Sequence, residues 1–162
     1  MKSAIEIETP LGRMVATGDA QFLYELRFTR DPISLSNIKT KPLASIEEEL
    51  FAYFEGRLTL FATPIQMEGT SFRQKVWKEL QKIRFGATSS YSQIAQAIGS
   101  PFAVRAVGGA NGANPLAIIV PCHRVIQANG NMGGYSAGLH RKEWLLKHEV
   151  NPGLKAWGKI KK

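Results

Sequence analysis

The chain has 162 residues, of which 44% are apolar and 21% charged, with one cysteine and a net charge of +8. That length suits one sizeable core or two small lobes; the composition excludes a chain dominated by disorder, and a lone cysteine excludes an intramolecular disulfide. Residues 1–67 carry 7 Lys+Arg against 9 Asp+Glu, whereas residues 68–162 carry 14 against 4, so a basic half follows a mildly acidic one. Such a half is the footprint of a polyanionic partner, nucleic acid first. No stretch approaches the ~18 apolar residues of a membrane span, and no basic amphipathic anchor stands out. The opening residues lack the apolar run of a signal peptide, so the expected compartment is reducing: the cytoplasm, and the nucleus too in a eukaryote.

Ile5 and Ile7 alternate with Glu6 and Glu8, Pro10-Leu11-Gly12 marks a turn, and Met14 to Thr17 returns before a second turn at Gly18-Asp19. Phe22, Tyr24, Leu26 and Phe28 are expected on one face of a third strand, with Glu25 and Arg27 on the other. Residues 31–42 read as a loop. Ser45 and Glu48 have capping-box spacing, and Leu43, Ile46, Leu50 and Phe54 space as one helical face ending at Gly56. Leu58 and Leu60 suggest a short strand before Thr63-Pro64.

Composition and charge change together near residues 67–70, where the lobe boundary is placed. Ser71 and Gln74 form the next capping pair, with Phe72, Val76, Leu80 and Ile83 as the buried stripe and Lys75, Lys78 and Lys82 on a different face. Ser90 and Gln93 cap a second helix that Gly99 stops, and Ser100-Pro101 is expected to start a third, because proline suits the first helical position. Short helices in a basic lobe suggest a helix-turn-helix. Residues 116–121 are expected to be extended, 127–138 a Gly-rich loop, and 139–149 a last helix with Leu139, Trp144 and Leu145 inward. The fold class is α+β: a small N-terminal antiparallel-sheet lobe (1–67), then a mostly helical lobe (68–152) with a winged helix-turn-helix-like motif, then a basic, mobile tail (153–162).

The third helix contains Gly108-Gly109, each glycine costing roughly 1 kcal/mol against alanine in a helix interior. Something must approach that surface closely, either a neighbouring helix or a ligand. Cys122 sits in Pro121-Cys122-His123-Arg124-Val125. A free thiol with a pKa near ~8.5 is mostly protonated at neutral pH unless a neighbour helps. His123 is adjacent, but successive side chains of an extended chain point to opposite faces, so adjacency does not make a pair. A bridging water, with Glu149 orienting the imidazole, would give a triad; an inert buried thiol beside a surface histidine fits the dipeptide as well. Cys122, His123, His140 and His148 lack zinc-site spacing, so no metal is expected.

Those five residues, with Arg105-Ala106-Val107-Gly108-Gly109-Ala110, Asn114-Pro115, Tyr135-Ser136-Ala137-Gly138-Leu139 and Glu143-Trp144-Leu145-Leu146-Lys147-His148-Glu149, resemble the O6-alkylguanine-DNA alkyltransferase family in order and spacing. The likeness runs from about Gly69 to Glu149; the first lobe is similar only in size and strand pattern. It implies binding of double-stranded alkylated DNA through the minor groove, extrusion of the damaged nucleotide and irreversible transfer of its alkyl group to Cys122, without cofactor. By the same resemblance His123 takes the thiol proton through water, oriented by Glu149. Tyr91 protonates the leaving guanine, while Tyr91, Val125, Tyr135 and Ser136 hold the base. Asn114 braces the turn to the cysteine, Arg105 enters the stack, and Ser92 and Ser100 meet the DNA backbone. Phosphate clamping by Arg105 and plain helix capping by Ser100 remain alternatives. Ala137 stands where the family often has glycine, and the first lobe offers no thiol for the structural zinc of some relatives.

The expected protein is a single-turnover methyltransferase acting on O6-methylguanine, with O4-methylthymine as a second substrate, working as a monomer without obligate protein partner or membrane. A non-catalytic binder of alkylated bases is the alternative, against which Cys122 argues. A cysteine hydrolase would need an oxyanion site that nothing in the basic lobe suggests.

Overall fold

Alternation of apolar and acidic residues makes β1 (Ser3–Thr9), which pairs antiparallel with β2 (Gly12–Gly18) through a tight turn where Gly12 takes a φ of 120°. The computed structural model describes residues 1–35 and 38–151 and separates into two units, Met1–Met67 and Glu68–Val150. The expected tail of residues 153–162 lies outside the described residues.

In the first unit β3 (Leu23–Phe28) completes a sheet of order β1-β2-β3. The register between β2 and β3 skips at Thr17/Gly18, so Leu23 opposes Gly18 while Glu25 opposes Thr17. One extra residue turns the face over. Leu23 and Leu26 are therefore the buried pair, and the expected row of Phe22, Tyr24, Leu26 and Phe28 does not form.

Helix α1 (Lys41–Phe54) buries Leu43, Ile46, Leu50 and Phe54 as their spacing required, and Tyr53 with them. It begins ahead of the Ser45/Glu48 pair, at N-cap Thr40, because Pro42 is accepted in a first turn whose amides need no partner. Ser45 Oγ instead shares a 2.7 Å hydrogen bond with Thr63 Oγ1. No strand forms at Leu58 and Leu60, and Leu60 is exposed. The Glu49 carboxylate takes the amides of Ala62 and Thr63 at 2.7 and 2.9 Å, and the chain rejoins the sheet later, at a parallel bridge between Leu23 and Ile65.

In the second unit α2 (Ser71–Leu80) is capped by Thr70, whose hydroxyl accepts from the Arg73 amide, one residue ahead of the expected cap. Val76, Trp77 and Leu80 are buried, whereas Phe72 and Ile83 are only half-buried. The Trp77 indole donates to the Ala110 carbonyl at 2.9 Å, tying α2 to the later glycine-rich helix. The two-residue strand β4 (Ser89–Ser90) leads into α3 (Tyr91–Ala97) through the Ser90/Gln93 capping box, and Gly99 (φ 78°) ends the helix turn. Helix α4 (Val104–Gly112) starts three residues later than Pro101: a turn closed by Ala103 N–H to Ser100 C=O comes first, and Ala103 is the N-cap. Ser100 is thus not its cap.

Residues 116–121 are not a strand: 117–119 form a turn, with Ile118 at a φ of 72°, and Cys122–Arg124 form one 3₁₀ turn. The strand β5 (Val125–Ile126) pairs parallel with β4. Helix α5 (Leu139–Val150) closes the unit; Leu145 faces inward but Leu139 is exposed and Trp144 half-buried, the inner face being completed by Lys142, His148 and Glu149. Among the described residues no helix is long and apolar enough to cross a membrane.

Candidate active site

Asparagines at the end of α4 set the course of the chain through the cysteine. Asn114 Nδ2 donates to the Val120 carbonyl at 2.7 Å and to that of Leu116 at 3.3 Å, while its Oδ1 accepts the Leu116 amide at 2.9 Å. Asn111 Nδ2 donates to the Cys122 carbonyl at 3.3 Å. A side chain that satisfies three backbone groups substitutes for a strand partner, which is why this apolar stretch turns. The 3₁₀ turn then separates successive side chains by about a third of a revolution rather than placing them on opposite faces.

Cys122 is 4% exposed. Burial pushes its thiol pKa up, opposed by hydrogen bonding from Asn114 and the positive charge of Lys142. His123 is fully buried, and its Nε2 lies 2.7 Å from Glu149 Oε2. Arg124 closes the other side of the carboxylate, Nε to Oε1 at 2.7 Å and Nη2 to Oε2 at 3.0 Å, and spends Nη1 on the Ile83 carbonyl at 2.7 Å.

Burial alone would raise the Glu149 pKa, but the contacts with His123 and Arg124 outweigh it and hold it at about 2. Burial lowers the His123 pKa, against the pull of Glu149. Both shifts cannot come from a fully charged pair. The permanent guanidinium of Arg124 keeps Glu149 ionised, so His123 is neutral, donates Nε2–H to the carboxylate and presents Nδ1 as an acceptor. That Nδ1 is buried without a protein partner.

A cavity of about 570 Å³ in the same unit is lined by Tyr91, Arg105, Asn111, Gln127, Tyr135 and Ser136, with glycines filling the gaps between them. The Tyr91 and Tyr135 pKa values are raised by burial and then by the nearby Cys122 charge, so both are neutral phenols, and the Tyr135 hydroxyl has no protein partner. Gly133 takes a φ of 75°, and a Cβ there would come within 2.9 Å of the Tyr91 oxygen. On α4 a Cβ at Gly108, Gly109 or Gly112 would meet nothing within 4 Å. Packing against a neighbouring helix therefore does not account for these glycines; they leave a bare face beside the exposed Arg105. A larger cavity of about 830 Å³ lies in the first unit along β1 and α1, with three consecutive glutamates and neither thiol nor histidine on its wall. Cys122 and His123 do not line the smaller cavity either, but Asn111 on its wall donates to the Cys122 carbonyl, which ties that cavity to the thiol segment.

Residues 71–151 match the family described as 6-O-methylguanine DNA methyltransferase, DNA binding domain. The chain is also 44% identical over 147 residues to the methylated-DNA–protein-cysteine methyltransferase of Mycobacterium tuberculosis, covering 88% of this chain and 89% of that one. The chain belongs to this methyltransferase family. A methylated-DNA–protein-cysteine methyltransferase of Methanosarcina barkeri is likewise 44% identical over 150 residues, 90% of this chain and 95% of the relative. The crystal structure of Mycobacterium tuberculosis OGT in complex with DNA superposes with a TM-score of 0.82 at 44% identity, covering 91% of this chain and 92% of that one.

Of the residues the methyltransferase resemblance singled out, the structure brings His123 against Glu149, Asn114 against the backbone before Cys122, and Tyr91, Arg105, Tyr135 and Ser136 to one cavity. Ser136 Oγ donates to the Gly112 carbonyl at 3.3 Å. Val125 does not line the cavity; its carbonyl accepts from Lys142 Nζ at 2.6 Å. Ser92 lies in the first turn of α3 with Oγ 3.3 Å from Ser90 Oγ, and Ser100 lies in the turn before α4. Neither touches the cavity, and Ala137 does not line it. Among the described residues no group of three or more His, Cys, Asp or Glu is placed to hold a metal.

Three residues of this methyltransferase site escaped the sequence reading. Lys142 is fully buried, also donates to the Gly134 carbonyl at 3.0 Å, and has a pKa lowered to about 8 by burial, against the pull of the Cys122 charge. Its spacing of three from Leu145 and seven from Glu149 was the available signal, since all three share the inner face of α5. Asn111 follows the buried Val107 by four in the same way. Arg124 carried no such signal, being one more cation in a basic lobe.

Proposed function

We propose that this chain repairs DNA by direct reversal, moving the alkyl group of O6-methylguanine, and of O4-methylthymine, irreversibly onto its own Cys122. The observation that carries this reading is the neutral His123, bound at Nε2 to Glu149 with Nδ1 unpartnered, directly after a buried thiol in a unit whose cavity falls in the 300–1,000 Å³ range of ligand sites. An atom within a base stack is beyond reach of a buried thiol, so the nucleotide must be extruded, at a cost of a few kcal/mol. The bare face of α4 suits a narrow minor groove, and Arg105 at the cavity mouth is placed to fill the gap left in the stack. Ser92 and Ser100 meet the backbone on either side.

In the transfer itself the Cys122 sulfur attacks the methyl carbon as the carbon–O6 bond breaks. The thiol proton passes through a water to His123 Nδ1, and Tyr91 supplies a proton to the departing guanine. Tyr135, Ser136 and the Val125 backbone hold the base, and Asn114 braces the turn that joins α4 to the cysteine. The product is a thioether, a poor leaving group, so each chain reacts once and needs no cofactor. The protein acts as a monomer in the cytoplasm, without membrane or obligate protein partner.

Mass spectrometry after incubation with a duplex carrying O6-methylguanine will find a gain of about 14 Da on the Cys122 peptide, the increment of one methylene, and at most one per chain. Recovery of unchanged protein would reject the proposal and favour a non-catalytic binder. Arg105→Ala will reduce extrusion, read by a fluorescent base beside the lesion, more than it reduces affinity for undamaged duplex; equal losses would mean a phosphate clamp. Because burial lowers the His123 pKa, its basic form survives below 6.5, the ordinary imidazole value. The single-turnover rate is therefore expected to hold as pH falls through 6.5 and to drop only at more acid pH. A half-maximal rate at or above 6.5 would contradict His123 as the base.

A further inference from the structure

Phe102 is fully exposed, an aromatic ring with no protein cover. Its position is nevertheless defined. The turn that carries it is closed by Ser100 N–H to Ala95 C=O and by Ala103 N–H to Ser100 C=O, both at 2.9 Å, and Pro101 fixes the backbone dihedral just before it. Three residues on, Arg105 lines the cavity mouth, as does Val104, itself 37% exposed. Beyond them lies the bare glycine face of α4.

We infer that Phe102 is an apolar wedge of this chain's DNA interface, entering the minor groove beside Arg105 and pressing on a base step that flanks the extruded nucleotide. This rests on the DNA-repair reading above. The chemistry favours duplex as the occupant: the unit carrying Phe102, Glu68–Val150, has ten basic residues against four acidic, and the glycine face lets its helix approach a polyanion closely. Exposed Phe, Leu and Met side chains at minor-groove interfaces unstack base steps and hold the duplex bent, which makes a neighbouring base easier to extrude. Arg105 supplies charge and bulk for the gap; Phe102 supplies the stacking surface that an arginine alone lacks.

The test compares wild type, Phe102→Ala and Phe102→Trp on methylated duplex and on free O6-methylguanine base, each followed by mass gain at Cys122. Phe102→Ala is expected to slow the duplex reaction about tenfold, the scale of losing one stacking contact, and Phe102→Trp to restore it. Reaction with the free base will be unchanged, since Phe102 lies outside the cavity. The slope of log affinity against log salt will also be unchanged, because a phenyl ring releases no counterion. An unchanged duplex rate in Phe102→Ala, or equal slowing on duplex and free base, would overturn the inference and leave the ring to a protein partner. Failure of wild type to gain mass from methylated duplex would instead sink the repair reading.

Discussion

Serine in place of Cys122 will abolish alkyl transfer while leaving duplex binding intact. The substitution keeps a small hydrogen-bonding side chain where Asn114 and Lys142 act on the thiol, so the fold has little to lose. The chemistry has everything to lose: an alcohol is a far weaker nucleophile toward a saturated carbon than sulfur, and a neutral imidazole is too weak a base to ionise it. Arg105 and the open face of α4 are untouched, so retention on a methylated duplex should match wild type. Radiolabel passing from DNA to the serine variant at the wild-type rate would displace Cys122 as the acceptor.

Glu149→Ala is the substitution expected to harm stability most, and it slows transfer as well. It removes the acceptor of three close hydrogen bonds and leaves the Arg124 guanidinium, whose side chain is 8% exposed, with a buried charge and no counter-ion. Breaking such a pair from one side costs roughly 3–5 kcal/mol, a large share of the ~5–15 kcal/mol that holds a domain together. Urea unfolding will show the loss as a lower midpoint. Glu149→Gln is the sharper probe of chemistry, since the amide still accepts from His123 Nε2–H. Without a negative charge to stabilise the imidazolium, its rate should fall by about 10²- to 10⁴-fold, the usual contribution of a positioned base.

The same group predicts the acid limb of stability. The Glu149 pKa sits at about 2, below its ordinary 4.5, so the carboxylate stabilises the fold above 4.5, and that contribution is lost as pH falls toward 2. His123 acts in a higher window. Its lowered pKa means that below 6.5 the unfolded chain binds a proton the native chain refuses, so stability declines as pH falls from there. Glu149→Ala should erase the first contribution.

Periodic features were readable from residues alone. The β1–β2 turn, the α1 stripe, the Ser90/Gln93 capping box and the stop at Gly99 each rest on local rules that tertiary packing did not disturb. Failures came where a side chain overrode the backbone pattern. Asn114 bends an apolar stretch that reads as a strand, Glu49 takes the amides a strand near Leu60 would have paired, and a bulge turns the face of β3. At the site the motif order made Cys122, His123 and Glu149 prominent, but Lys142 was hidden because a lysine on a helix reads as solvated. Its burial becomes intelligible only when the Val125 and Gly134 carbonyls converge on it from β5 and from the loop that precedes α5.

The depth of the Cys122 sulfur bears on how long an unreacted molecule lasts. A reagent consumed in one event is wasted by every stray oxidant, and susceptibility to sulfenic acid formation follows thiolate character and solvent access, both of which are low here. On the proposed mechanism, keeping Cys122 dull until a lesion is delivered to it lets the cell hold a standing reserve of competent copies.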